Sequence, residues 1–210
     1  LSVLVFCIIL FLYIHVNYHL TTSNTMEIYD VVRPSKTKLE EICRLKQPVK
    51  FSFDKIELFD KLNLENLESE YPNQSINIRK KTLDEPSELV SIKDVREKLS
   101  QNYFCETNED MLKEIQILDS IKEKTDFFRP ALMFSDKYDF ITALNGYTLP
   151  IRYNIDYRNF YLVTSGSVEV RLINPDSSKE IDVSKDHLNM EFYSAFDPWD
   201  TTKQRKTESL

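Results

Sequence analysis

The sequence predicts an α+β fold: an N-terminal apolar helix, then short helices, then an antiparallel run of strands of sandwich or jelly-roll type. Three observations carry this reading. Residues 1–16, LSVLVFCIILFLYIHV, contain no Asp, Glu, Lys or Arg. From there to Pro130, apolar residues recur at helical spacing in several stretches. After Pro130, segments rich in Tyr, Phe, Val and Ile follow in succession, the composition of strands.

The length of 210 residues suits one domain with an appendage. With 41% hydrophobic and 12% aromatic residues the chain can bury a core, which argues against global disorder. A net charge of −7 argues against a nucleic-acid partner, because phosphate binding requires clustered Lys and Arg. The one compact basic run, Lys203, Arg205 and Lys206, lies in a polar tail, residues 201–210. Only two glycines occur, Gly146 and Gly166, where an average chain of this length carries roughly fifteen. That excludes a Gly-rich phosphate loop and a dinucleotide fingerprint. Alanine is scarce too, as an AT-rich coding sequence produces. Cys7, Cys43 and Cys105 form no C-x-x-C or Cys/His cluster of zinc spacing. A Cys43–Cys105 disulfide and two separate buried thiols both stand as readings. Asn73-Gln74-Ser75 is a glycosylation sequon only if it reaches a secretory lumen.

In chain order, residues 1–20 are expected to be a transmembrane anchor lacking its upstream part. A full span takes about twenty apolar residues. Tyr13, Tyr18, His15 and His19 have the character of interfacial residues. A signal anchor is the reading adopted; a cleaved signal peptide and a buried helix or strand are the alternatives. The expected consequence is single-pass membrane localisation, with the side unassigned.

Residues 21–36 form a polar stem containing a strand candidate, Met26 to Val32. Thr37-x-x-Glu40 reads as a capping box for a helix over 37–46, which Pro48 ends. Val49, Phe51 and Phe53 alternate with polar residues, as in a half-buried strand. Residues 54–70 read as loop with a helical turn, and Ser75 to Lys80 as a strand. Ser87 is expected to cap a helix reaching Ser100, with Leu89, Ile92, Val95 and Leu99 on one stripe. A strand over 102–107 and a helix over 109–122 follow. Strand candidates then occupy 139–144, 148–153, 159–164 and 167–173, with Gly166 turning the last pair as a hairpin.

The stretch YTLPIRYNIDYRNFYLVTSGSVEVRLINP, residues 147–175, resembles the signature of JmjC-like cupins, the double-stranded β-helix family of Fe(II)/2-oxoglutarate oxygenases. Asn159, Gly166, Leu172 and Pro175 match that signature in register, and Gln47-Pro48-Val49 resembles the strand that opens these domains. The resemblance implies a cupin-like domain over 37–200, an incomplete double-stranded β-helix. It is also similar to membrane-anchored cupin-like proteins of large DNA viruses. The family's iron sits on a His, a carboxylate two residues later and a distant second His. Here those first two positions are Tyr153 and Ile155, or Arg152 and Asn154 one residue earlier. Neither register supplies the pair. The position of the lysine that binds 2-oxoglutarate is Val168, and the second His belongs to a strand expected beyond Leu210.

The remaining candidates read as structural. His187 is a solvated loop histidine, Asp156 a turn or ion-pair residue beside Arg158, and Ser165 and Ser167 turn residues. Asp197, Trp199 and Asp200 read as a loop packing its Trp onto the barrel. The expected function is therefore a membrane-anchored, non-catalytic binding or interaction module with a degenerate iron site. Arg152, Tyr153 and Asn154 are its candidate ligand-binding residues, with no metal and no cofactor. Partners are the membrane and a protein, with no nucleic acid. The alternative is a 2-oxoglutarate-dependent protein hydroxylase using Fe(II) and unusual ligands; a secreted lectin-like jelly roll is a third reading.

Overall fold

A computed structural model describes residues 1–16, 26–54, 57–83, 85–100, 102–130, 133–174, 181–187, 190–194, 197 and 199. The chain divides into two compact units, Leu1–Asp54 with Leu172–Lys179, and Lys55–Arg171 with Glu180–Leu210.

The first unit begins with helix α1, Ser2–His15, whose 14 residues are all exposed. At 1.5 Å per residue it is about 21 Å long, against a hydrocarbon layer of about 30 Å. Among the described residues no helix is long and apolar enough to cross a membrane. This corrects the expected transmembrane anchor over 1–20, the membrane partner and the single-pass localisation. Tyr18 and His19 lie outside the described residues.

Strand β1, Tyr29–Val31, helix α2, Lys36–Arg44, and strand β2, Val49–Phe51, follow as a small β-α-β unit. β1 and β2 pair in parallel, Tyr29 against Val49 and Val31 against Phe51. A parallel pair requires a crossover, and α2 supplies it. Leu39 and Ile42 put the apolar face of α2 inside. The helix begins earlier than its capping-box reading: Ser35 Oγ accepts from the Lys38 amide at 3.2 Å, so Ser35 is the cap and Thr37 sits in the first turn.

The second unit holds the main core. Helices α3, Glu57–Asp60, and α4, Leu64–Glu70, precede strand β3, Ser75–Lys80. β3 is the centre of an antiparallel sheet, with β4, Glu88–Ser91, on one side and β5, Tyr103–Cys105, on the other. Ile76 and Ile78 point into the core with Leu67, Ile92, Val95 and Leu112. Asn77 and Arg79 lie on the opposite, polar face of β3, as period-two alternation requires.

Two helix expectations are corrected here. Residues 88–91 form a strand because β3 offers them a ladder, Val90 opposite Ile76. Only the end of the expected helix coils, as a 3-10 turn, Ile92–Asp94, and α5, Val95–Lys98. The stripe Ile92, Val95 and Leu99 is nevertheless buried, whereas Leu89 is exposed. The helix expected over 109–122 is two helices, α6, Glu109–Glu114, and α7, Leu118–Lys124. Gln116 breaks it at φ 58°. The Ile117 amide donates to the Leu112 carbonyl at 3.2 Å and the Gln116 amide to Lys113 at 2.9 Å, a Schellman termination.

The C-terminal expectation departs most. Of the four strands expected between 139 and 173, only β6, Ile151–Tyr153, forms. Residues 139–144 contribute a single bridge, Thr142 to Cys105, and 159–164 and 167–173 belong to no strand. Instead β6 pairs with β8, Glu191–Ser194, which pairs with β7, Ser184–Asp186. β7 falls in the polar segment around His187 that reads as loop, because Ser184, Lys185 and Asp186 offer no apolar alternation. The architecture is thus α+β with small two- and three-stranded sheets among the described residues, not a double-stranded β-helix behind a membrane helix. The polar tail, Pro175, Pro198 and Asp200 lie outside the described residues. Gly146 and Gly166 both take φ 76°, the left-handed region that glycine enters freely.

Candidate functional site

The polar face of β3 is covered by side chains from four places in the second unit. Arg79, on β3, stands directly opposite Phe104, on β5, and Phe104 is fully buried. Glu106 follows β5 immediately. Arg152 comes from β6 and Glu191 from β8, so one sheet supplies Arg79 and the other supplies Arg152 and Glu191.

These four groups form a chain of alternating charge. Arg79 holds Glu191 with both terminal nitrogens, Nη1 to Oε1 at 2.7 Å and Nη2 to Oε2 at 2.9 Å. Arg79 Nη1 also donates to Glu106 Oε2 at 3.2 Å. Arg152 Nη1 donates to the other oxygen of the same carboxylate, Glu106 Oε1. Little water reaches the centre: the Arg79 and Glu106 side chains are 11% and 9% exposed, Arg152 23%. In such surroundings charge-assisted bonds are strong and an unpaired charge is costly. The bond to Glu191 raises the Arg79 pKa, and the same bond holds the Glu191 carboxyl below its usual range.

Phe104 is the floor of the site. The Arg152 guanidinium lies 5.5 Å from the centre of its ring, and the Tyr147 ring lies 5.5 Å from it, tilted by 39°. Burial pushes the Tyr147 phenol up to about 12, against the pull of the Arg152 charge. Lys81 adds a cation 5.7 Å from the Tyr147 ring and donates to Thr148 Oγ1 at 2.6 Å.

Three buried donors in this cluster have no hydrogen-bond partner among the described residues: Arg152 Nε, Arg152 Nη2 and the Tyr147 hydroxyl. Nε and Nη2 are the two nitrogens on one edge of a guanidinium. Glu106 therefore occupies Nη1 only, and the edge that grips a carboxylate with two parallel bonds is uncommitted. Arg152 is also the less neutralised arginine, since Arg79 takes Glu191 and shares Glu106.

No protein-family model, curated protein or solved structure matches the chain.

Of the three candidate ligand residues, the structure brings only Arg152 to this cluster. Tyr153 is 70% exposed, its ring edge-on to Phe192. Asn154 is exposed and donates from Nδ2 to the Tyr161 hydroxyl at 2.9 Å. Alternation along β6 turns Tyr153 away from the face that Arg152 occupies, and Asn154 lies past the end of the strand. Tyr147 thus supplies the inward phenol that the sequence assigns to Tyr153. Arg79, Glu106 and Glu191 are absent from the sequence reading. The spacing of Arg79 and Glu191, 112 positions, leaves no local motif to find.

The residues at the resemblance's iron positions do not fit Fe(II). Arg152 is a cation bonded to Glu106, Asn154 is a neutral amide, Ile155 has no donor atom, and Tyr153 is largely exposed on the other face of β6. Among the described residues no group of three His, Cys, Asp or Glu side chains is placed to hold a metal ion. His187 is exposed and packs edge-on against Phe192 at 5.7 Å. Asp156 sits in a bend, where its carbonyl accepts from Asn159 Nδ2 at 3.4 Å, and Ser165 sits in the bend at Gly166. Trp199 lies under Arg171, 3.7 Å from the guanidinium to the ring centre.

Cys105 is no nucleophile at neutral pH: burial, and then the Asp139 charge, push its thiol up to about 12. Cys43 is half-buried, and no disulfide joins it to Cys105. Asp139 is a structural carboxylate, accepting the Thr107 and Asn108 amides at 3.0 and 2.7 Å. Its own pKa is raised by burial.

Proposed function

We propose that the chain is a non-catalytic binding module that takes a carboxylate-bearing ligand at Arg152. The observation that supports this is the orientation of Arg152: Nη1 is tied to Glu106 while Nε, Nη2 and the neighbouring Tyr147 hydroxyl are buried without partners among the described residues. A buried donor left unpaired costs about 1–3 kcal/mol, so groups that could be paired at once by two carboxylate oxygens and one phenol contact favour such a ligand. The guanidinium is already oriented by Glu106 and Phe104, so little side-chain freedom is lost on binding. The non-catalytic role agrees with what the departures in residues 147–175 imply. Membrane anchoring is no part of it.

The test is calorimetric titration of the full chain with benzoate, acetate and inorganic phosphate. Benzoate binding is expected, weakened about tenfold or more in Arg152→Lys, which keeps the charge but loses the paired edge. Tyr147→Phe is expected to weaken it several-fold by removing one donor. Equal affinity of the wild-type and Arg152→Lys chains contradicts the carboxylate site. Conversion of 2-oxoglutarate to succinate by the chain with added Fe(II) contradicts the non-catalytic reading.

A further inference from the structure

Asn73-Gln74-Ser75 is the one Asn-x-Ser/Thr triplet in the 210 residues, and the fold presents it in a form open to modification. Tyr71 to Gln74 make a tight turn: the Gln74 amide donates to the Tyr71 carbonyl at 3.1 Å, with Pro72 and Asn73 as the central pair. The backbone around it is pinned. The Pro72 carbonyl accepts from Ser91 Oγ at 2.8 Å and from the Lys93 amide at 3.2 Å, and the Gln74 carbonyl accepts from the Ile92 amide at 2.8 Å. The Gln74 side chain is committed too, donating to Glu114.

Asn73 and Ser75 are left facing outward. Both are exposed, and neither side chain has a hydrogen-bond partner among the described residues. A bulky, solvated group on Asn73 therefore displaces no contact of the folded chain. Such a triplet is used only in a secretory lumen, and α1 has the character of the segment that delivers a chain there. It is apolar on every side and none of its 14 residues is buried, so it is no amphipathic helix laid on the fold. Too short to cross a bilayer, it has the length of the apolar core of a secretory leader, about 7–15 residues.

We propose that Asn73 is an N-glycosylation site and that α1 is the apolar core of the leader that carries it into the secretory lumen. In the transfer, Asn73 Nδ2 forms a bond to C1 of an oligosaccharide carried on a polyprenyl pyrophosphate. The C1–O bond to the pyrophosphate breaks, the lipid pyrophosphate leaves with the electron pair, and Nδ2 gives up one proton. Nothing is oxidised or reduced. Ser75 supplies the hydroxyl that the transferring enzyme requires two residues on. This inference does not depend on the carboxylate site.

Cell-free translation of the full chain, preceded by an initiator methionine, with and without endoplasmic-reticulum microsomes tests it. With microsomes, a protease-protected product larger by one glycan is expected. An N-glycosidase should remove the glycan and leave an aspartate at position 73, located by peptide mass spectrometry. Asn73→Gln and Ser75→Ala are expected to lose the shift and Ser75→Thr to keep it, a pattern that a folding defect does not produce. The purified Asn73→Gln chain is expected to unfold at the wild-type urea concentration, since Asn73 makes no side-chain bond among the described residues. I8K/I9K, which puts two cations into the apolar core, is expected to leave the chain outside the microsomes and unmodified. A wild-type chain that shows no shift overturns the proposal, as does a shift that persists in Asn73→Gln or in I8K/I9K. A shift obtained only when an established leader replaces residues 1–16 overturns the assignment of α1, and no shift even then overturns the site at Asn73.

Discussion

Arg79 grips Glu191 through two parallel hydrogen bonds of 2.7 and 2.9 Å, joining strands β3 and β8 across 112 positions of sequence. The same guanidinium reaches Glu106, whose other oxygen holds Arg152. Two small sheets, neither large enough to bury much alone, are thereby fixed in one register. Ionic contacts of this kind add modestly to net stability, because burying the charges costs nearly what pairing returns. Their geometric effect is specific: they set the direction in which Arg152 points.

Breaking the pair from the arginine side is expected to be severe. Arg79→Met preserves volume but leaves Glu106 with one cation and takes the bidentate Arg79 contact away from Glu191. Urea unfolding is expected to show a loss of about 3–4 kcal/mol. Glu191→Gln, at a side chain 32% exposed, is expected to cost less, about 1–2 kcal/mol. Equal stability of Arg79→Met and wild type would mean that the ionic chain does not join the sheets.

Acid sensitivity follows from the same contact. The folded Glu191 carboxyl lies below its ordinary value of 4.5, chiefly because Arg79 bonds it. Its stabilising contribution is complete above pH 4.5 and is lost as pH falls from there through the lower folded value. Asp139 has the opposite sign: burial raises it above 3.8, so the folded state gains stability as pH falls through that raised range towards 3.8. Stability curves against pH for Glu191→Gln are expected to have a flatter acid limb than wild type. An unchanged limb contradicts the assignment.

Tyr147 carries an alkaline signature. Its phenol is pushed from 10.0 up to about 12, first by burial. The folded chain keeps that proton while the unfolded chain loses it, so stability present below pH 10 is lost as pH rises from 10 to about 12. Absorbance titration at the tyrosinate band is expected to show a late step from Tyr147. Tyr147→Phe should remove that step alone.

At Gln116 the chain adopts φ 58° on an exposed turn that ends α6. A side chain there costs about 1–2 kcal/mol, offset in part by the greater freedom glycine has when unfolded. Gln116→Gly is therefore expected to stabilise the chain by about 0.5–1 kcal/mol, read as a rise in Tm. A fall in Tm would show that Gln116 has a role beyond the turn.

Local pattern made much of the second unit legible before Pro130. Ser75–Lys80 is a strand as its alternation requires, and the stripe Ile92, Val95 and Leu99 is buried although its first half is extended. What misled was long-range pairing. Residues 88–91 have helical periodicity but meet β3, and 159–173 alternate as strands do but lie outside every strand of the described structure. The N-terminal apolar run marks a helix, yet its 14 residues are too few for the span expected of it. Arg152 was legible as a candidate because it falls at the first iron-ligand position of the resemblance in one register, a cation beside Tyr153. Arg79, Glu106 and Glu191 were not, since only the packed sheets bring them together, and Tyr147 was displaced by the nearer Tyr153.

The most direct test of the carboxylate site is the Nε–H resonance of Arg152 in nitrogen-15 spectra of the full chain, followed as benzoate is added. This one arginine resonance is expected to move progressively and saturate and to be absent in Arg152→Lys, while that of Arg79, whose guanidinium is held by Glu191 and Glu106, stays nearly fixed. An Arg152 resonance that does not move while others do, or that moves identically with chloride, would contradict the carboxylate site.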